Sequence, residues 1–283
     1  DAWAYLRVPR GNLRLAHADH LHLDLWWRGL NVARDAGTFL YNGEPPWDNP
    51  LPAAFYHNTV TLNGREPMTR AGRFLYLDWA QARLLERGAR RLVAEHDGYR
   101  RLGYLIRRAV SVDADGSWVV EDQVLPGGRR SPLPVSARLH WLLPDWELQM
   151  ADDGRQTTVS LHLHSPLGWV EVTVRGPSST VSLIRAGEPI YGSAAPDPAR
   201  GWYSPTYGVK IPALSLALET APATEITFTT TFHFPDQPTN QTNQTNQTNQ
   251  TNQTNQTNQT NQTNRLTDLN AYPPHPSSLR RPR

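Results

Sequence analysis

Two histidines and an aspartate near the start of the chain have the side chains and the spacing of a possible metal site. His17 comes just before one predicted strand, Asp35 ends the next, and His57 opens a third. Imidazole nitrogens and carboxylate oxygens are ligands that zinc accepts, and three protein ligands leave a fourth position open. Spacing alone leaves a second interpretation open, in which His57 and Asp35 hydrogen-bond to buried backbone groups at strand ends.

Three further polar residues lie close to these positions in the sequence. We expect Asp19 to orient a histidine or to cap a strand rather than to bind metal itself. Tyr41 and Asn58 could line a substrate cleft, and each could equally donate a structural hydrogen bond. Trp26 and Trp27 are adjacent and point to opposite faces of a strand, so one should be in the core and the other exposed or at a domain interface.

Alternation of apolar and polar residues runs from about residue 20 to residue 234, as expected for half-buried strands. Turn signals such as Asn63-Gly64 and Asp97-Gly98 separate the alternating runs. A helical period is nearly absent, apart from a weak stretch at 80–90 that fits a strand equally well. About a dozen strands at this spacing predict an all-β domain, a large antiparallel β-sandwich, over residues 1–237.

The last part of the chain has a different composition. From Thr239 the triplet Thr-Asn-Gln repeats eight times, and a segment rich in proline and arginine follows. The repeat has no apolar side chain to bury, so it cannot offset the entropy lost on ordering its backbone. We expect residues 238–283 to form a disordered tail.

The composition also excludes several kinds of site. Cysteine is absent, which excludes disulfides and thiolate metal sites. No run approaches the ~18 consecutive apolar residues that a membrane span requires. No glycine-rich phosphate loop or basic nucleic-acid patch is visible, and the net charge is only +2. All basic side chains except Lys210 and the histidines are arginine, whose planar fork suits carboxylate and sulfate groups, although a GC-rich genome gives the same bias.

Longer stretches resemble the C-terminal domain of the heparinase II/III-like family. The first is HADHLHLDLWWRGLNVARDAGTFLYNG, followed by YHNTVTLNGREPM. Together they contain a His-x-Asp element, an Asp-x-Gly-x-x-x-Tyr element and a His-Asn-Thr-Val element, in the order of the family. The later stretches HWLLPD and YGVKIPALSLAL resemble the family's following strands, so the resemblance covers about residues 3–234.

The resemblance implies a β-sandwich packed against an N-terminal α/α toroid of the same protein, with the substrate cleft between the two. It implies a polysaccharide lyase that cleaves uronate-containing acidic polysaccharide, such as heparin, heparan sulfate or alginate, by β-elimination. It also implies a structural zinc ion held by His17, Asp35 and His57. We expect such a protein in the cell envelope, either periplasmic or secreted.

The catalytic groups of this family come mostly from the toroid, which we expect upstream, so this chain alone should lack them. Some members carry a further histidine two residues before the first zinc ligand, where this sequence has Leu15. His20 and His22 could substitute for it, but strand alternation predicts an exposed position for His22. One alternative is a non-catalytic sandwich that binds acidic glycan or acts in exopolysaccharide assembly. A hydrolase using Asp19 and Asp24 is weaker, because nothing fixes the separation of the two carboxylates.

Overall fold

The computed structural model describes residues 1–10, 15–128, 132–153 and 157–235. Within these ranges the chain forms nineteen strands and two single-turn 3-10 helices, Ala54–Tyr56 and Arg100–Leu102. The strands are β1 (Ala2–Leu6), β2 (Leu23–Trp27), β3 (Leu30–Ala33), β4 (Val60–Leu62), β5 (Thr69–Gly72), β6 (Leu75–Leu77), β7 (Ala82–Arg87), β8 (Arg91–His96), β9 (Tyr104–Val112), β10 (Trp118–Pro126), β11 (Ala137–Pro144), β12 (Glu147–Asp152), β13 (Thr158–Ser165), β14 (Gly168–Arg175), β15 (Ser179–Arg185), β16 (Glu188–Tyr191), β17 (Trp202–Thr206), β18 (Val209–Thr220) and β19 (Ile226–His233).

The predicted all-β fold is confirmed. The weak stretch at 80–90 contains strand β7 and no helix. The expected dozen strands were too few, because some of the short strands, such as β1, β5 and β16, carry too short an alternation to be recognised. No helix of the described ranges is long and apolar enough to cross a bilayer. The predicted tail, 238–283, lies outside the described residues.

Two large antiparallel sheets build the sandwich. One has eight strands in the order β12-β13-β14-β19-β10-β9-β8-β7. The other has the order β16-β15-β18-β11-β4, with β17 paired beside β18. A three-stranded sheet, β1-β2-β3, and the hairpin β5-β6 complete the fold. Pairings between strands distant in sequence, such as β10 with β19 and β11 with β18, fix the two large sheets.

Strand alternation sends apolar side chains into one continuous core between the large sheets. In β19, Ile226, Phe228 and Phe232 are buried, and the apolar side chains of β11 face them. Trp141 of β11 meets Phe232 edge-to-face at a centroid distance of 5.1 Å and donates its indole N–H to Thr230 Oγ1 at 3.0 Å. Such aromatic pairs add about 0.5–1.5 kcal/mol to the stabilisation from buried area.

The three-stranded sheet lies against this core with its inner face. Leu23, Leu25 and Trp27 of β2 are buried in the core, and Trp26 is on the outer face of the same strand. The prediction that only one of the adjacent tryptophans enters the core is confirmed. The outer face of this sheet is therefore available for other contacts.

An ion pair lies within the core and connects it to two loops. Arg108 of β9 binds its cross-strand partner Asp122 of β10 through Nε at 2.7 Å and Nη2 at 2.9 Å. Both side chains are excluded from solvent. Arg108 Nη1 also donates to the backbone carbonyls of Leu21 and Asn58, at 2.6 and 2.5 Å. The buried guanidinium thus holds two loops against the eight-stranded sheet.

Candidate metal centre

The structure brings His17, Asp35 and His57 together, although each comes from a different loop. One possible ligand atom of each residue lies within 4.8 Å of those of the other two. The rings of His17 and His57 are 5.3 Å apart, and His57 Nδ1 lies 3.4 Å from Asp35 Oδ2. His17 and Asp35 are partly exposed and His57 is buried, so the cluster is open to solvent on one side only.

His57 is the most informative member of this cluster. Its side chain is fully buried, its Nδ1 faces the Asp35 carboxylate at 3.4 Å, and its Nε2 has no hydrogen-bond partner among the described residues. A buried polar group without a partner costs about 1–3 kcal/mol, so an imidazole in this state needs an explanation. The His57 carbonyl accepts a hydrogen bond from His140 Nδ1 at 2.9 Å, which fixes the backbone. A cation that accepts a ring lone pair would satisfy this side chain.

Asp35 is held at both its carboxylate and its backbone. The N–H of Gly37 donates to Asp35 Oδ1 at 2.6 Å, and the N–H of Asp35 donates to Asp24 Oδ1 at 3.1 Å. The second oxygen, Oδ2, faces His57 at 3.4 Å and His22 at 3.8 Å. One oxygen of Asp35 thus shapes the loop, and the other is directed into the cluster.

Gly37 provides the first testable prediction. Its φ is +75°, and a Cβ at this position would lie 2.2 Å from the carbonyl oxygen of Ser204, which forms a bridge with Gly37. We expect Gly37→Ala to lower the free energy of unfolding by roughly 2–3 kcal/mol in urea denaturation. The control is Gly64→Ala, which also has positive φ (+61°) but meets no atom within 4 Å. Equal losses in both variants would contradict a role for the close approach to Ser204.

His22 lies beside the cluster and is buried, which corrects the prediction of an exposed position. Leu21 has a φ of +57°, so strand alternation begins only at Leu23, and the two residues before it both point inward. The backbone N–H of Asn58 donates to His22 Nδ1 at 2.9 Å, so the neutral ring carries its proton on Nε2. That N–H is directed towards Asp24 and Asp35, at 3.7 and 3.8 Å. These distances are too long for a hydrogen bond, so the role of His22 is to hold the backbone N–H that follows His57.

The charges in the cluster are coupled. Burial by itself would raise the pKa of Asp35, but His57, with smaller effects from His22 and His17, holds that pKa well below its usual value. Burial, and then His57, lower the pKa of His17. Burial would also lower the pKa of His57, but the Asp35 carboxylate outweighs it and the pKa is raised. Near neutral pH, Asp35 is ionised and His17 is uncharged, the states in which these groups bind a cation, whereas the raised pKa of His57 means that a cation must compete with a proton for its ring.

Asp19 and Asn58 are both buried next to the cluster. Asp19 Oδ2 forms an ion pair with Arg7 Nε at 2.6 Å, and this contact positions the segment that carries His17. Asn58 is fully buried, and its side chain binds only backbone groups. Its partners are the carbonyls of Leu23 and Arg34 and the N–H of Leu142. Asn58 thus joins the loops around the cluster.

Tyr41 and Leu15 differ in exposure. Tyr41 is on the surface, where its ring contacts Phe74 and Tyr207 at centroid distances of 5.1 Å. Leu15 is partly buried in a small apolar cluster with Ala18 and other side chains. Leu15 therefore contributes packing at this position and no proton donor or acceptor.

These features define a class of domain, a large antiparallel β-sandwich with a His–Asp–His cluster at one group of loops. The sequence profile of the family described as "Heparinase II/III-like, C-terminal" matches residues 7–245. The chain therefore belongs to the heparinase II/III-like family of polysaccharide lyases and represents its C-terminal domain. The resemblance seen in the sequence motifs is confirmed. A comparison with curated protein sequences gives no match.

Solved structures show the same fold. A heparinase III gene product with methylated lysines aligns over 81% of this chain and 32% of its own, with a TM-score of 0.60 and 17% identity. Heparan sulfate lyase HepC from Pedobacter heparinus aligns over 82% and 33%, with a TM-score of 0.55 and 16% identity. A further heparinase III aligns over 76% and 29%, with a TM-score of 0.53 and 18% identity. The chain thus spans about a third of the length of these proteins.

Proposed function

We propose that this chain is the C-terminal domain of a polysaccharide lyase that cleaves uronate-containing acidic polysaccharide by β-elimination. The family membership supports this function, and so does the convergence of His17, Asp35 and His57. An N-terminal α/α toroid of the same protein would form the other wall of the substrate cleft. Because polymers of this kind occur outside the cytoplasm, we propose a periplasmic or secreted location.

β-Elimination at a uronate has three chemical requirements. The carboxylate at C5 must be neutralised, a base must remove the C5 proton, and an acid must protonate the leaving glycosidic oxygen. Leu15 supplies none of these, and the described neighbours Asp19 and Asn58 are engaged in structural contacts. We therefore assign the base and the acid mainly to the toroid, and a structural role to the cluster in this chain.

We further propose that His17, Asp35 and His57 hold a zinc ion that ties their three loops together. The observation that carries this proposal is the convergence of the three residues, with one possible ligand atom of each within 4.8 Å of the others, around a fully buried His57. At tetrahedral zinc, two bonds of about 2.0–2.1 Å place their ligand atoms about 3.4 Å apart. His57 Nδ1 and Asp35 Oδ2 are already 3.4 Å apart, and the possible ligand atoms of all three residues lie within 4.8 Å of one another, so binding would need only a small approach. Bound zinc would supply positive charge at the cluster, while Gly37 holds the Asp35 carboxylate and His22 holds the backbone after His57.

Lyase activity is tested by incubating the full-length protein with heparin, heparan sulfate, alginate or hyaluronan. The expected result is an ultraviolet-absorbing unsaturated product from at least one polymer, and no product from residues 1–283 alone. Binding of a polymer by the full-length protein without any unsaturated product would instead support the alternative, a non-catalytic glycan-binding module.

The role of His22 gives a prediction for metal affinity. His22 holds the backbone N–H of Asn58, next to His57, and removing a side chain that positions a ligand typically weakens metal binding about 10–100-fold, so we expect this loss of zinc affinity for His22→Ala. The measurement is competition with a chelator of known affinity. The matched control is His20→Ala, because His20 is equally buried but binds the carbonyl of Ala80 at 3.1 Å. An equal fall in both variants would show that His22 acts only through packing.

A further inference from the structure

Lys210, the only lysine of the chain, is enclosed by three aromatic side chains. Its Nζ lies 3.2 Å from the ring centroid of Trp202, 4.3 Å from that of Trp47 and 5.6 Å from that of Phe39. Trp47 meets the other two rings edge-to-face, at centroid distances of 5.1 and 6.1 Å, so the three rings form one pocket. Within the described ranges Lys210 forms no ion pair, so the faces of these rings are the partners of its charge.

The pocket joins two segments that are far apart in the sequence. Trp202 and Lys210 belong to the hairpin β17–β18. The other two rings lie in residues 34–47, which follow β3 and which we call the Asp35 loop. The ammonium is therefore enclosed only while this loop lies against the hairpin.

Backbone contacts hold the same loop on the same hairpin. The N–H of Ser204 donates to the carbonyl of Ala36 at 2.8 Å, and the Ser204 hydroxyl donates to the carbonyl of Thr38 at 2.9 Å. The N–H of Gly208 donates to the carbonyl of Phe39 at 2.8 Å. These contacts begin at the residue directly after the candidate ligand, so the position of the loop on the hairpin determines where that carboxylate lies.

These backbone contacts are few, and an additional interaction is needed to keep them closed. Apart from its pairing with β18, β17 meets the Asp35 loop through an isolated bridge between Gly37 and Ser204. Water competes for such single hydrogen bonds, so each contributes little by itself. A cation within about 6 Å of an aromatic ring face is attracted by the ring quadrupole, and the attraction is stronger where water is excluded. Lys210 supplies this attraction between the loop and the hairpin.

We propose that Lys210 is a positioning residue, which holds the Asp35 loop on the hairpin and thereby sets the Asp35 carboxylate for metal binding. The same loop also reaches a second candidate ligand, because Thr38 Oγ1 lies 3.4 Å from His17 Nε2. The contact between loop and hairpin rests on the rings and hydrogen bonds described above. Its consequence for metal binding rests on the proposed function.

Hydrogen–deuterium exchange of residues 1–283, followed by NMR, tests this role without any metal. The reporters are the amides of Ser204 and Gly208, whose N–H groups bind the loop. We expect both to exchange roughly five- to thirtyfold faster in Lys210→Gln, because the loss of the cation–π contact makes local opening more frequent. Lys210→Arg keeps a cation that stacks on aromatic rings, so it should retain slow exchange.

The matched control is Val209→Ala, which changes the preceding residue of the same strand. The Val209 side chain is 45% exposed and points to the face opposite Lys210, so the two reporter amides should exchange as in the unmodified chain. Amides of β13, in the other large sheet, should be unchanged in every variant and report on global folding. In competition with a chelator, Lys210→Gln should also bind zinc about tenfold more weakly than Lys210→Arg.

Unchanged exchange in Lys210→Gln, or equally fast exchange in Lys210→Arg, would overturn the role of the ammonium in holding the loop. Faster exchange in Lys210→Gln with unchanged zinc affinity would overturn its role in positioning Asp35. Absence of zinc from the unmodified chain would overturn the proposed metal centre itself, and with it the role of Lys210 there. The amide exchange would still decide whether the ammonium holds the loop, so the two failures are distinguishable.

Discussion

Asp122→Ala should lower the free energy of unfolding by about 3–5 kcal/mol, because it leaves the Arg108 guanidinium charged and unpaired in the core. Neither side chain of this pair is accessible to solvent, and the two are joined by two parallel hydrogen bonds. Water therefore cannot replace the lost carboxylate without opening the sandwich. Urea denaturation followed by tryptophan fluorescence measures the loss.

A surface ion pair with the same bidentate geometry provides the control. Arg185 and Asp145 are joined at 2.6 and 2.7 Å, but the Arg185 side chain is 52% exposed. Asp145→Ala should therefore cost no more than about 1 kcal/mol. If Asp122→Ala and Asp145→Ala lowered the free energy of unfolding by similar amounts, burial would not be what makes the Arg108–Asp122 pair important.

The double variant Arg108→Met/Asp122→Leu separates the ion pair from the loop contacts. Apolar replacement of a buried pair is often neutral or stabilising. Here it also removes the donor of the Leu21 and Asn58 carbonyls, so we expect only partial recovery relative to Asp122→Ala. Full recovery would show that these two backbone contacts contribute little.

His57→Ala should abolish stoichiometric zinc binding. The purified chain should contain about one zinc ion per molecule, and the variant should contain none, because His57 would supply one of three protein ligands. An ion that binds only the folded state stabilises that state. Removal of zinc from the unmodified chain should therefore also lower its melting temperature. Elemental analysis and thermal unfolding, with and without chelator, measure both effects.

The control for zinc binding is His164→Ala. His164 lies on β13, where it is half exposed and stacks on Trp169, so this variant should retain its zinc. Absence of zinc from protein purified without chelator would contradict the metal proposal. If the melting temperature did not change after zinc removal, the claim that zinc binds would stand, but a structural role for the ion would be contradicted.

The fold class could be predicted from alternation because the long strands of the core follow it closely. In β13, Val159, Leu161 and Leu163 are buried, and the residues between them are partly exposed. The convergence of His17, Asp35 and His57 could be expected only through the family resemblance, since residue spacing does not determine which loops meet. Several short strands, such as β5 and β16 with four residues each, were missed, because so few residues establish a period of two only weakly.

Two other features differ in how far the sequence could have predicted them. The burial of His22 depends on the positive φ of Leu21, which shifts the alternation by one residue and has no signal in the sequence. Arg108 did have a signal, because it occupies the apolar phase of β9, between Ile106 and Val110. A charged residue at such a position requires a buried partner, and Asp122 occupies the corresponding phase of β10.

The contacts of Arg108 also bear on how the loops at the candidate metal centre move. Its Nη1 holds the carbonyl that precedes His22 and the carbonyl that follows His57, so neither loop can open without breaking a bond to the core. The loops are thus part of the same cooperative unit as the sandwich, and they do not fray like ordinary surface segments. An ion held there would leave through rare, larger openings of the domain, and its residence time would follow the stability of the whole fold.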